Sequence, residues 1–123
     1  MRGEGKGLLI VSNNPAVWKF FAGIVFVPQS PLEVMREVRN RLHHGWKLIT
    51  HPLMGSIRLL RNPYRSVVLG APEKELDSNG LFMVEDAYWR LSQTRYDTSS
   101  DASFLDYQTI DLELLKTVVK DWT

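Results

Sequence analysis

Gly7-Leu8-Leu9-Ile10-Val11-Ser12-Asn13-Asn14-Pro15 is the stretch on which the fold class turns. Leu8 to Val11 is apolar but too short to make a helix of its own, and the Asn-Asn-Pro that follows is turn chemistry, so the run reads as a buried strand leading straight into a helix. Asn14 has the side chain of a helix cap, and Pro15 has the fixed φ of a first helical position. That helix is expected to pass through Trp18 and Phe21 and to stop near Gly23, with a second strand at Ile24 to Val27.

The pattern continues outward from this start. Ser30-Pro31-Leu32-Glu33 has the form of a capping box with proline at the first helical position. Leu32, Met35, Val38 and Leu42 then recur at helical spacing, and Gly45 stands where a C-terminal cap belongs. Trp46 to Thr50 reads as a third strand and Ser66 to Gly70 as a fourth. Asp77 or Ser78 opens a helix whose inward face is Leu81, Val84, Tyr88 and Leu91. Thr98 to Ser103 reads as a polar break, and Asp111 to Trp122 as a last helix with Leu112, Leu115, Val119 and Trp122 inward. Strands alternating with helices predict an α/β fold: a small, mostly parallel sheet of about four strands, flanked by helices on both faces. The expectation is a single three-layer domain over residues 1–123, with 1–6 as a flexible start.

Size and composition agree with this. At 123 residues, 44% hydrophobic and 24% charged, the chain has the makeup of one globular domain rather than of a disordered segment. It has no cysteine, which removes disulfides, thiol nucleophiles and thiolate metal ligands together. The apolar run at Leu8 to Val11 is too brief for a membrane span or a secretory core, so no membrane association and a cytoplasmic location are expected. The net charge of +1 hides an asymmetry. From Arg36 to Arg65 seven basic residues face one acid, whereas from Ala71 onward five face eleven. Either an anionic partner uses the basic segment, or the two solvated surfaces neutralise each other.

The longest stretch without periodicity is His51 to Arg65, and long loops at a sheet edge tend to carry function. In open sheets, ligands sit at the carboxyl ends of parallel strands, which would bring Asn13 and Asn14 close to His51. If the fourth strand runs antiparallel to the third, Arg65 and Ser66 start from the same edge. A ligand-binding set follows: Asn13, Asn14, His51, Gly55, Ser56, Arg58, Asn62, Tyr64 and Arg65. Gly55 permits close backbone approach, Ser56 offers a hydroxyl, and the arginines supply forked donors for carboxylate or phosphate. Asn14 adds amides at a helix start. A small anionic ligand, whether a carboxylate, a phosphate or a nucleotide fragment, is the natural occupant.

For catalysis the candidates are His51 and Ser56. His51 either acts as general acid or base, a role to which the imidazole is suited, or simply ends a strand. Ser56 lacks the Gly-x-Ser-x-Gly elbow of a nucleophile. His43 and His44 are adjacent, point about 100° apart on a helix and have no partner at metal-ligand spacing, so no metal is expected. No phosphate loop and no dinucleotide fingerprint occur, so a standard nucleotide enzyme is disfavoured and no cofactor is expected. The charge balance also argues against nucleic acid. Trp18, Trp89 and Trp122 serve either the core or a homodimer contact.

Three segments together resemble a known family. They are Val11-Ser12-Asn13-Asn14-Pro15, the run from Val38 to Ser56 containing His43-His44-Gly45-Trp46 and His51-Pro52-Leu53-Met54-Gly55-Ser56, and Asn62-Pro63-Tyr64-Arg65-Ser66. The chain is similar to GrdX-type proteins, small proteins encoded beside the glycine, sarcosine and betaine reductase genes of anaerobic bacteria. The resemblance implies an accessory role in amino-acid reduction and a reductase-system protein as partner, with no established activity. Without cysteine the chain cannot relay electrons through a thiol, so the expectation is that it binds, regulates or assists. The alternative is an enzyme using His51 on a small anionic substrate.

Overall fold

The computed structural model describes residues 7–53, 61–95 and 101–122, the side chains of 101–103 and 121–122 excepted. Three of the expected site residues, Gly55, Ser56 and Arg58, lie outside the described residues, as do the expected flexible start at 1–6 and the inward placement of the Trp122 side chain.

The elements are β1 (Leu9–Ser12), α1 (Pro15–Phe20), β2 (Val25–Phe26), α2 (Pro31–His43), β3 (Lys47–Leu48), β4 (Ser66–Gly70), α3 (Ser78–Ser92) and α4 (Asp101–Trp122). Local chemistry explains most of the boundaries. The Asn14 side chain accepts the Ala16 N–H and caps α1, with Pro15 just inside. After α2, Gly45 takes φ +97°, where a Cβ would meet the Glu73 carbonyl oxygen at 2.7 Å. Only glycine can turn the chain there.

Two expectations about helix starts change. The capping box at Ser30 does not form: its hydroxyl makes no cap bond, and Glu33 pairs with Arg36 at 3.0 Å instead. α4 begins ten residues before the expected Asp111, so Asp111 stands in mid-helix and 101–103, expected as part of a break, are helical.

The sheet is mixed rather than mostly parallel. Its order is β2-β1-β4-β3, with β1 and β2 parallel and β4 antiparallel to both β1 and β3. The reason is the return of the chain: β4 starts from the edge at which β3 ends and inserts between β1 and β3, so it needs no crossover. Arg65 and Ser66 therefore do start at the edge where β1 ends, with Ser12 paired to Ser66.

Alternate residues of the central strands feed two apolar clusters. Leu9, Val11, Val67 and Leu69 pack with Val34, Met35, Val38 and Leu42 of α2 and with Val84, Ala87 and Leu91 of α3. Leu8, Ile10 and Val68 pack with Val17, Phe21, Leu115 and Val119 of α1, α4 and the turn between α1 and β2. Trp18 and Trp89 belong to neither core: they are 58% and 65% exposed. No described helix is long and apolar enough to cross a membrane.

Candidate functional site

The carboxyl ends of β1 and β2 and the start of β4 meet at one edge of the sheet, and there the sequence places an unusual density of buried polar side chains: Ser12, Asn13, Asn14, Asn62, Arg65, Ser66 and Asp111. Buried polar groups are tolerated only when hydrogen-bonded, and their bonds can be followed one by one.

Ser66 Oγ donates to Asp111 Oδ2 at 2.7 Å. Its single proton is then spent, so the 2.7 Å contact between Ser12 Oγ and Ser66 Oγ has Ser12 as donor. Ser12 Oγ in turn accepts the Asn14 N–H at 3.0 Å. Asn14 Nδ2 closes the circuit by donating to Asp111 Oδ2 at 2.9 Å and to the Gln108 carbonyl. The chain of donors runs from a backbone amide through two serines to one carboxylate. It locks both hydroxyls and leaves neither poised as a nucleophile. Burial pushes the Asp111 carboxyl above its ordinary value, while the hydrogen bonds from Asn14 and Ser66 and the nearby Arg65 guanidinium pull it back.

Asn13 is equally occupied. Its Nδ2 donates to the carbonyls of Gln29 and Pro63, both at 2.8 Å, and its Oδ1 accepts the Arg65 N–H. Together with the Asn13 N–H to Arg65 carbonyl bond, this extends the β1–β4 ladder by one step with a side chain. Asn62 Oδ1 accepts the Tyr64 N–H and its Nδ2 donates to the Tyr107 carbonyl. Gln108 Nε2 donates to the Tyr64 hydroxyl at 3.1 Å. The middle of α4 is thus gripped by the start of α1, by β4 and by the segment leading into β4.

Over this polar floor lies a cavity of about 450 Å³, lined among others by Asn13, Phe26, Gln29, Ser30, Tyr64 and Phe104. It sits where α1 and α2 start, the position expected for a ligand beside parallel strands. His51 lines a different cavity, of about 170 Å³, with Thr50, Asp77 and Asn79. Its Nδ1 accepts the Leu53 N–H at 3.0 Å, so the neutral ring carries its proton on Nε2. The structure therefore gathers Asn13, Asn14, Asn62, Tyr64 and Arg65 at one place and sets His51 at another.

Sequence reasoning placed Ser12 at this edge beside Asn13 and Asn14 but missed Asp111 and Gln108 as members of the cluster, and also the cavity walls Phe26 and Phe104. The only signal was the polar Ser-Asn-Asn after a buried strand; Asp111 reads as an ordinary helix-starting acid. No group of three or more His, Asp or Glu able to hold a metal occurs among the described residues. No curated protein and no solved structure matches the chain. Residues 9–120, nearly the whole length, match the model of the GrdX-like protein family, and the chain belongs to that family.

Proposed function

We propose that this protein is a non-catalytic accessory of the glycine, sarcosine and betaine reductase system, and that it works by holding a small anionic ligand in the cavity above Asn13. The observation that carries the reading is the position of that cavity, at the carboxyl ends of the parallel pair β1 and β2 and at the start of the 13-residue α2. The positive end of the α2 dipole favours an anion there, and the Ser30 hydroxyl, unused as a cap, is available to it. A non-catalytic role is supported by the buried serines and asparagines, whose donors are already spent on one another. The reductase connection comes from the family resemblance.

Thermal-shift measurements with glycine, sarcosine, betaine, acetyl phosphate and inorganic phosphate test the proposal. A bound ligand at a hundredfold excess over Kd should stabilise the fold by about 2.7 kcal/mol, and Tyr64→Ala should remove the shift. Stabilisation by none of the anions would count against the reading.

A further inference from the structure

The walls of the cavity say more about a ligand than its position does. Ten residues line it: Phe26, Tyr64 and Phe104 bring three aromatic rings, Pro15, Pro28, Pro31 and Pro63 bring four prolines, and no charged side chain is among them. A volume of about 450 Å³ corresponds to about fifteen waters at ~30 Å³ each. It falls within the range that encloses ligands of roughly drug size. A two-carbon acid would leave most of the space wet and most of the apolar wall uncovered.

Two of the rings are held in place. Phe26 stacks on Trp18 with centroids 4.6 Å apart and planes 15° from parallel. The Tyr64 hydroxyl is fixed by Gln108, and its backbone by the turn at Asn62. Rigid aromatic walls lose little entropy when a ligand arrives. Among the polar groups of the lining, the Asn13 amide is already used on Gln29 and Pro63, whereas the Ser30 hydroxyl caps nothing. The Gln29 side chain likewise makes no hydrogen bond to a described residue. These two exposed groups are available at the mouth.

We propose that the cavity receives a flat heteroaromatic ring, its faces against Phe26, Tyr64 and Phe104 and its hydrogen-bonding edge toward Gln29 and Ser30. The inference rests on the cleft reading above and names the body of the ligand whose anionic group that reading places at the start of α2. Aromatic walls favour a planar ring over an aliphatic body of equal area, because ring pairs add quadrupole attraction to burial. A free small molecule is preferred over a base in a nucleic-acid strand, since the lining offers no cation for a phosphodiester backbone.

Trp18 is a built-in reporter, because its stacking partner Phe26 is part of the wall. Fluorescence titration of the whole chain with adenosine, guanosine, uridine and nicotinamide should give saturable changes with at least one ring. Trp18→Phe should lose most of that signal. Tyr64→Ala and Phe104→Ala should each weaken binding about tenfold, with folding checked by circular dichroism, while Arg90→Ala should leave it unchanged. Binding of phosphate or small carboxylates with Tyr64 dependence, and of no ring, would overturn the ring proposal and keep the cleft. Binding of nothing would overturn both. Tighter binding of a short oligonucleotide than of its nucleosides would overturn the small-molecule source.

Discussion

Asp77 and Asp111 each tie a helix to the sheet through hydrogen bonds to the carboxylate, in opposite surroundings. Asp77, half-buried, stands at the start of α3 and accepts two backbone amides, Gly80 N–H at Oδ1 and Leu48 N–H at Oδ2, both at 2.9 Å. The unpaired amides and the dipole of a helix start welcome a carboxylate there. Asp111 is 5% exposed and sits midway along α4, where the helix offers no spare amide. Its hydrogen-bond partners, Asn14 and Ser66, come from the start of α1 and from β4. The first carboxylate sits where its charge is at home. The second is held against its desolvation by partners that must all be present.

Removing Asp111 should therefore have the largest effect. Asp111→Leu strands the Ser66 hydroxyl and one Asn14 donor in the core and should cost about 3 kcal/mol in urea denaturation. A loss no greater than that of the Asp77 variant would erase the contrast between the two sites.

Asp77→Ala should cost less, about 1 kcal/mol, the usual value of a helix cap. Gly80→Ala supplies a sharper version: an added Cβ would overlap the Asp77 carboxylate, so the variant should lose stability although alanine favours helices. A stabilised Gly80→Ala would show that the cap can rearrange.

The pH dependence separates the two acids further. With its pKa raised in the folded state, Asp111 holds a proton that the unfolded chain has already released at a pH somewhat above about 4. Its contribution to stability is greatest at low pH and declines as pH rises through the raised value. Asp111→Asn keeps an acceptor near the Oδ2 position and cannot ionise. The difference between wild-type and Asp111→Asn stability curves should therefore slope across that window and flatten above it; a flat difference throughout would mean that burial does not perturb this acid.

The smallest effect is expected at the exposed Arg90–Asp86 pair, 2.9 Å apart with both side chains about half exposed. Arg90→Ala should change stability by less than ~0.5 kcal/mol, and a larger loss would mean that surface ion pairs contribute as the buried network does.

The same contrast explains what could be read from the chain before folding. Asp77 was legible because a cap acts over three residues, and Asn14, Pro15, Gly45 and the Ser66–Gly70 strand were legible for the same local reason. Asp111 was not, because its partners Asn14 and Ser66 lie 97 and 45 residues away. Of the residues expected to bind a ligand, Asn13, Asn14, Asn62, Tyr64 and Arg65 lie at one edge, since a buried strand ending in polar residues has to deliver them there. That their amides would be consumed holding the edge together was invisible, as was the separation of His51 into a second cavity.

By itself, the sequence determined the family, the absence of cysteine, the starts of α1, α2 and α3 and the alternation that builds two apolar clusters, because each depends on residue type or on spacings of a few residues. Only the tertiary structure decided that β4 inserts antiparallel between β1 and β3, that α4 is gripped at Asp111, and that the aromatic and proline walls enclose a cavity. Those outcomes depend on which distant segments meet, and burial then determines which polar groups are left for a ligand.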